Sequence, residues 1–285
     1  MRLTDGKGVT GYLEPKLTRV KDTQGLPLGS TSDDTQLALV TSRSLIRCRR
    51  FDLTDQGLGL VEEFERSLFG WGGTTKAAAV AIKKWRDSNG KEGRHPEAPT
   101  PVPEKDGASA GSGPAMKVFP LAAYCMFGRD NDDAEMEFLS HAMDLGRMTH
   151  GDLRASVASV ALGYAIAAFA NADGYDSPEH FRKEVSARLM TLTLRAESVY
   201  RFCRSYAPPF SEYLGRAFAL LDDPVALRTE VNASFLAVHS VPFAIATALR
   251  HPDDFRAGVL EGVNAGRDTD TVGSMVGAMI GSNVG

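Results

Sequence analysis

Cysteine is scarce in this chain: three residues in 285, Cys48, Cys125 and Cys203. They are far apart, odd in number, and form no CxxC or Cys/His set. A disulfide framework and a structural zinc site are therefore not indicated. Small buried apolar roles in a reducing cytoplasm fit them better. An excess of positive charge is also lacking. The net charge is -4, so nothing basic argues for a nucleic-acid or anionic-membrane surface. No apolar run reaches the ~20 residues that span a bilayer. The start, Met1-Arg2-Leu3-Thr4-Asp5, has no apolar signal-peptide segment. Period-2 alternation of useful length is missing, as are a GxGxxG after a strand, a P-loop and any repeat period. What remains is an all-α reading in one domain, for which a chain with 43% hydrophobic residues has core enough.

Two acidic stretches stand out. Ser30-Thr31-Ser32-Asp33-Asp34-Thr35 precedes a helical run over Gln36 to Cys48. Gly266-Arg267-Asp268-Thr269-Asp270-Thr271 precedes another over Val272 to Ser282, with Gly273, Gly277 and Gly281 at spacing four. Each combines a carboxylate pair with hydroxyls, the oxygen donors that a hard divalent cation prefers. The plainer reading of either is a helix cap with acidic first-turn residues, Ser32 serving as N-cap in the first. If the two converged without a cation, four carboxylates would repel; with cations between them they become ligands. The glycines of the last helix would let it lie close to another backbone.

Between these ends the pattern is helical. Met1 to Leu28 shows little periodicity and reads as a loop or poorly ordered segment, with the folded domain running over 29–285. Helices are expected over Leu58–Phe69, from Thr74 or Thr75 to about Ser88, and over Ala134–Met148. Leu153–Ala170 is apolar nearly all round and belongs at the centre. Ser177-Pro178 opens a helix to about Arg204, followed by helices over Phe210–Leu221 and Val225–Val238. Pro242 opens the next, which ends near His251, and Asp253 caps one over Asp254–Val263. Residues 89–113, rich in Pro and Gly, read as a surface loop.

The ordered set of short motifs resembles one family. The hydroxyl-Asp-Asp-Thr stretch and the Gly-x-Asp-Thr-Asp-Thr stretch look like the signatures of the ADP-ribosylglycohydrolases. Gly70-Trp71-Gly72-Gly73, Gly111-Ser112-Gly113-Pro114-Ala115-Met116-Lys117, Met148-Thr149-His150 and Val263-Asn264-Ala265 fall between them in the same order. The resemblance implies a compact orthogonal helical bundle with a central cleft holding two Mg2+ or Mn2+ ions. It implies Ser32, Asp33, Asp34, Asp268, Asp270 and Thr271 as ligands, with Asp33 and Asp34 at the reaction centre. Gly72, Gly111, Ser112, Gly113 and His150 would bind the substrate. The implied reaction is removal of ADP-ribose from a modified side chain or related acceptor, the ions holding the distal ribose. The implied partners are ADP-ribose or an ADP-ribosylated protein, with nucleic acid only as an ADP-ribosylated substrate, no membrane, and the chain a monomer.

The sequence departs from the family in three places. Ser32 replaces the usual Thr, Arg267 the usual Gly, and nothing before Gly29 matches the family's first helix and its glutamate. Glu14 lies too close to the first acidic stretch for that part. A non-catalytic ADP-ribose-binding relative of the same fold is therefore the alternative. An Asp-x-Asp-x-Thr phosphatase loop, read from Asp268 to its following hydroxyls, should follow a buried strand near the N-terminus, and here it does neither.

Overall fold

The structure, a computed structural model, describes residues 31–66, 70–89, 109–129, 131–199 and 208–285. The N-terminal segment with Glu14, most of the 89–113 loop, Cys203 and the expected helix end at Arg204 lie outside the described residues. Thirteen α-helices and no named strand occur among the residues described. The one β-like contact is an isolated antiparallel bridge between Gly111 and Leu236. The all-α expectation is met.

Helix α7 (Leu153–Ala170) forms the centre. It is long and apolar enough by composition to cross a membrane, yet 83% of it is buried within the protein. Helices α4 (Gly113–Met116), α5 (Phe119–Met126), α6 (Asp132–Arg147), α8 (Pro178–Val199), α11 (Ala237–Arg250) and α13 (Thr269–Val284) surround it. Its small residues allow close approach: a Cβ on Gly163 would lie 2.0 Å from Cζ of the fully buried Phe138 on α6. That ring also packs edge-on against Tyr164, with centroids 5.3 Å apart. On the outer side, α1 (Asp33–Cys48), α2 (Leu53–Arg66) and α3 (Gly73–Asn89) pack in sequence, α1 also touching α4, α5 and α13.

Several boundaries differ from the sequence expectation for local reasons. Helix α2 starts five residues early because Asp52 accepts the Asp55 N–H at 3.0 Å and closes the first turn there. Helices α4 and α5 fall in a region read as loop or left unassigned; Pro114 and Pro120 sit in their first turns, where the missing N–H costs nothing. The expected Val225–Val238 helix is instead a short α10 (Pro224–Ala226) running into a π-helical turn, Leu227–Val231. The chain leaves that turn at Asn232, which has φ 58°, and helix α11 begins at Ala237. Pro242 therefore lies inside α11 rather than at its start, buried where packing outweighs one lost backbone bond. Helix α9 covers Phe210–Ala219. The cap of α12 (Phe255–Asn264) is Asp254, not Asp253: its carboxylate accepts the Ala257 N–H at 2.8 Å. Cys125 is buried as expected, but Cys48 only half so.

Candidate metal centre and ligand cleft

The first and last described helices start at the same place. Asp33 and Asp34 occupy the first turn of α1, and Asp268 and Asp270 flank the start of α13. Carboxylate oxygens of Asp33, Asp34 and Asp270 all lie within 4.8 Å of one another. Ser32 holds the N-cap position of α1 without capping it; its hydroxyl donates to Asp34 Oδ2 at 3.0 Å instead. Likewise Asp268 makes no side-chain cap on α13. It accepts from Thr271 Oγ1 at 3.2 Å and from Ser112 Oγ at 3.4 Å. The hydroxyls thus orient carboxylates rather than satisfy helix ends, which disfavours the capping reading.

Sequence reasoning missed Ser274, one turn beyond Asp270 on α13. Its hydroxyl lies 3.0 Å from Asp34 Oδ1 and 3.0 Å from the Thr271 carbonyl oxygen. Its position four residues after Asp270 was the available signal, because side chains at that spacing share a helix face. The role of Gly70 was also missed. It has φ 82°, and a Cβ there would sit 2.5 Å from Asp33 Oδ1, so only glycine lets the backbone come so near. Trp71 anchors this segment by donating its indole N–H to Gln36 Oε1 of α1 at 2.7 Å.

Burial, followed by the charge of Asp34, pushes the Asp33 carboxyl up to about 7. Burial and then Asp270 raise Asp34 to about 6, and the same two causes raise Asp268 to about 6. Two helix N-termini face the cluster and favour negative charge, but not enough to overcome desolvation and mutual repulsion. An all-oxygen set of crowded carboxylates fits a hard divalent cation, whose charge would remove the penalty.

Beside this cluster the Gly111–Ser112–Gly113 segment runs along residues 234–237. The Ser112 N–H donates to the Phe235 carbonyl at 3.0 Å and the Ala237 N–H to the Ala110 carbonyl at 2.7 Å. The Gly111 N–H reaches Ser109 Oγ at 3.3 Å. Of the three expected amide donors, only that of Gly113 has no partner among the described residues. His150 lies beneath the segment: a Cβ on Gly111 would be 3.2 Å from its Nε2, and one on Gly113 2.7 Å from its Cε1. Gly72 stands apart, exposed, with open space around it. Arg267 is exposed and holds φ 66° between Gly266 and Asp268.

The geometry can be set against known proteins. Human ADP-ribosylhydrolase ARH3 is 27% identical over 275 residues, covering 89% of this chain and 70% of the human protein. The mouse ADP-ribosylhydrolase ARH3 is 26% identical, with 89% and 69% covered. A solved structure described as an ADP-ribosylglycohydrolase-related protein complex superposes with a TM-score of 0.56 at 23% identity. It covers 92% of this chain and 74% of its own, which establishes the shared fold. The pattern described as ADP-ribosylglycohydrolase matches residues 2–285. That match takes in both acidic helix starts and everything between them, so the chain belongs to the ADP-ribosylglycohydrolase family.

Proposed function

We propose that this chain hydrolyses the glycosidic bond of an ADP-ribosyl group, using divalent cations held between the starts of α1 and α13. The observation that carries this reading is the approach of Asp33, Asp34 and Asp270 to within 4.8 Å in a family whose description names that activity. Asp33, Asp34, Asp268 and Asp270, with Ser32 and Thr271, would hold two Mg2+ or Mn2+ ions. When bound, such ions supply charge that a ribose diol can chelate and that makes water a better nucleophile near neutral pH.

The chain's own groups do the positioning. Ser32 and Ser274 fix the two oxygens of Asp34, while Thr271 and Ser112 fix those of Asp268. The Gly113 N–H and His150 line the segment where a phosphate or ribose oxygen would lie, and the absence of side chains at Gly111 and Gly113 keeps that approach open. In the reaction the bond from the anomeric carbon to the acceptor breaks. Water provides the hydroxyl to that carbon and the proton to the departing acceptor. Holding the anomeric carbon and water together removes much of the entropic barrier.

Incubation with arginine-linked and serine-linked ADP-ribose in Mg2+, with free ADP-ribose as readout, tests the proposal. Turnover is expected in the wild type and lost in Asp34→Ala and Asp270→Ala. Tight Mg2+-dependent ADP-ribose binding with no turnover on any linkage would favour the non-catalytic relative instead.

A further inference from the structure

Lys117 is a buried amine with no carboxylate partner among the described residues. It follows α4, is 2% exposed, and the one hydrogen-bond partner of its side chain among the described residues is Thr149 Oγ1, at 2.8 Å. Burial brings its ammonium down to about 7. An unpaired buried ammonium is costly.

Thr149 passes the interaction on. Its Oγ1 is 2.9 Å from His150 Nδ1 and 3.3 Å from the Gly146 carbonyl oxygen. A hydroxyl has one proton to give. The Gly146 oxygen already accepts the backbone N–H groups of Thr149 and His150, both at 3.1 Å, so its two lone pairs are engaged. In its ammonium form, below about pH 7, Lys117 has no lone pair and can only donate into the Thr149 oxygen, so the hydroxyl proton goes to His150 Nδ1. That nitrogen is then bare, and the imidazole proton sits on Nε2. Burial, with Lys117 adding repulsion, pushes the imidazole pKa down to about 3 and keeps the ring uncharged. His150 Nε2 has no partner among the described residues and faces the Gly111–Gly113 segment.

We propose that Lys117, acting through Thr149, is a positioning residue that holds His150 as the Nε2–H tautomer, so that the ring presents a fixed N–H donor to a ligand oxygen lying along Gly111–Gly113. The tautomer follows from the protein alone; the identity of the ligand rests on the function proposed above. His150 in this role binds and orients and does not exchange a proton with the substrate. The substitution of greatest interest is therefore remote from the ligand.

The test is a long-range 1H–15N spectrum of the full chain labelled at histidine, recorded about one pH unit below the Lys117 value of about 7 so that the ammonium form predominates, in wild type, Lys117→Met and Lys117→Gln. The wild type is expected to show a bare, pyridine-type Nδ1 and a protonated, pyrrole-type Nε2 for His150. Lys117→Met frees the Thr149 oxygen to accept, so the signals should move toward Nδ1–H. Lys117→Gln, which keeps a donor to Thr149, should retain the wild-type pattern. By calorimetry with ADP-ribose and Mg2+, Lys117→Met should bind about 2–10-fold more weakly, the worth of one hydrogen bond. A protonated Nδ1 in the wild type overturns the proposal even if Lys117→Met does not fold, as does an unchanged tautomer in a folded Lys117→Met. A shifted tautomer with unchanged affinity overturns the donor role. If the wild type binds no ADP-ribose while the tautomer responds as described, the proposed function fails and the positioning stands.

Discussion

At the scale of single residues, the acidic cluster links stability to both pH and cation. Free carboxylates titrate near about 4. In the folded chain Asp33 is raised to about 7, and Asp34 and Asp268 to about 6. Between about pH 4 and 7 the metal-free folded chain holds more protons than the unfolded one, so its stability falls as pH rises through that window. A cation held as proposed would bind the deprotonated form and reverse the loss. The difference in melting temperature between samples in Mg2+ and in EDTA should therefore widen from pH 5 to pH 8; a flat or narrowing difference would count against cation binding here. Ser274→Ala removes one hydrogen bond to Asp34 without removing a ligand, and Mg2+ affinity by titration should drop about 10-fold. Arg267 bears a Cβ at φ 66°, so Arg267→Gly should raise stability by about 1 kcal/mol in denaturant melts of the metal-free chain.

What could be read in the sequence at this scale was the chemistry that is rare elsewhere. Two carboxylate pairs with hydroxyls at helix starts are unusual enough to be noticed, and Asp33, Asp34 and Asp270 do meet. Ser274 and Lys117 escaped because serine on a glycine-rich helix, or lysine anywhere, ordinarily means a solvated surface. Their roles depend on neighbours 240 and 32 residues away, respectively.

At the scale of elements, the same contrast holds. Helix α7 was legible from end to end because its apolar character is continuous and Asp152 caps it, accepting the Arg154 N–H at 2.9 Å. The α10–α11 region was not. Proline reads as a helix start, and only the tertiary surroundings make Pro242 an interior residue. The α6–α7 contact supplies a direct test of packing. Gly163→Ala places a methyl group against the Phe138 ring, and the two helices must part. A loss of about 1–3 kcal/mol is expected by urea unfolding. Replacing the α6 cap, Asn131→Ala, removes the acceptor of the Ala134 N–H at 2.9 Å and should cost about 1 kcal/mol by the same measurement.

At the scale of the whole molecule, α13 is the piece on which the site and the core both depend. It packs on α7, α11 and α12, and its N-cap and first turn together carry two of the four carboxylates, Asp268 and Asp270. Its fit against α12 comes less from its own glycines than from Gly258, where a Cβ would lie 2.3 Å from Ile280 Cδ1. Of the α13 glycines, Gly273 is the tight one, at 2.9 Å from Val263 Cγ1, and the neighbour is a side chain rather than a backbone. Amide hydrogen exchange should therefore report cation binding unevenly. Addition of Mg2+ should slow exchange in the first turns of α1 and α13 most, and leave α8 and α9 nearly unchanged.

The bond between Ser274 and Asp34 joins residues 240 positions apart. In polymer terms, whatever holds the starts of α1 and α13 together is a clasp that turns most of the chain into a ring. Closing so long a ring removes several kcal/mol of freedom from an unfolded chain when the link is covalent, about 5.5 by the chain-entropy model. A coordinated ion differs in that it forms no link in the unfolded chain, so it stabilises only through its own occupancy. With the proposed ion in place, the clasp would be one that the surrounding solution opens and shuts, and the persistence of the folded chain would become a readout of free cation concentration.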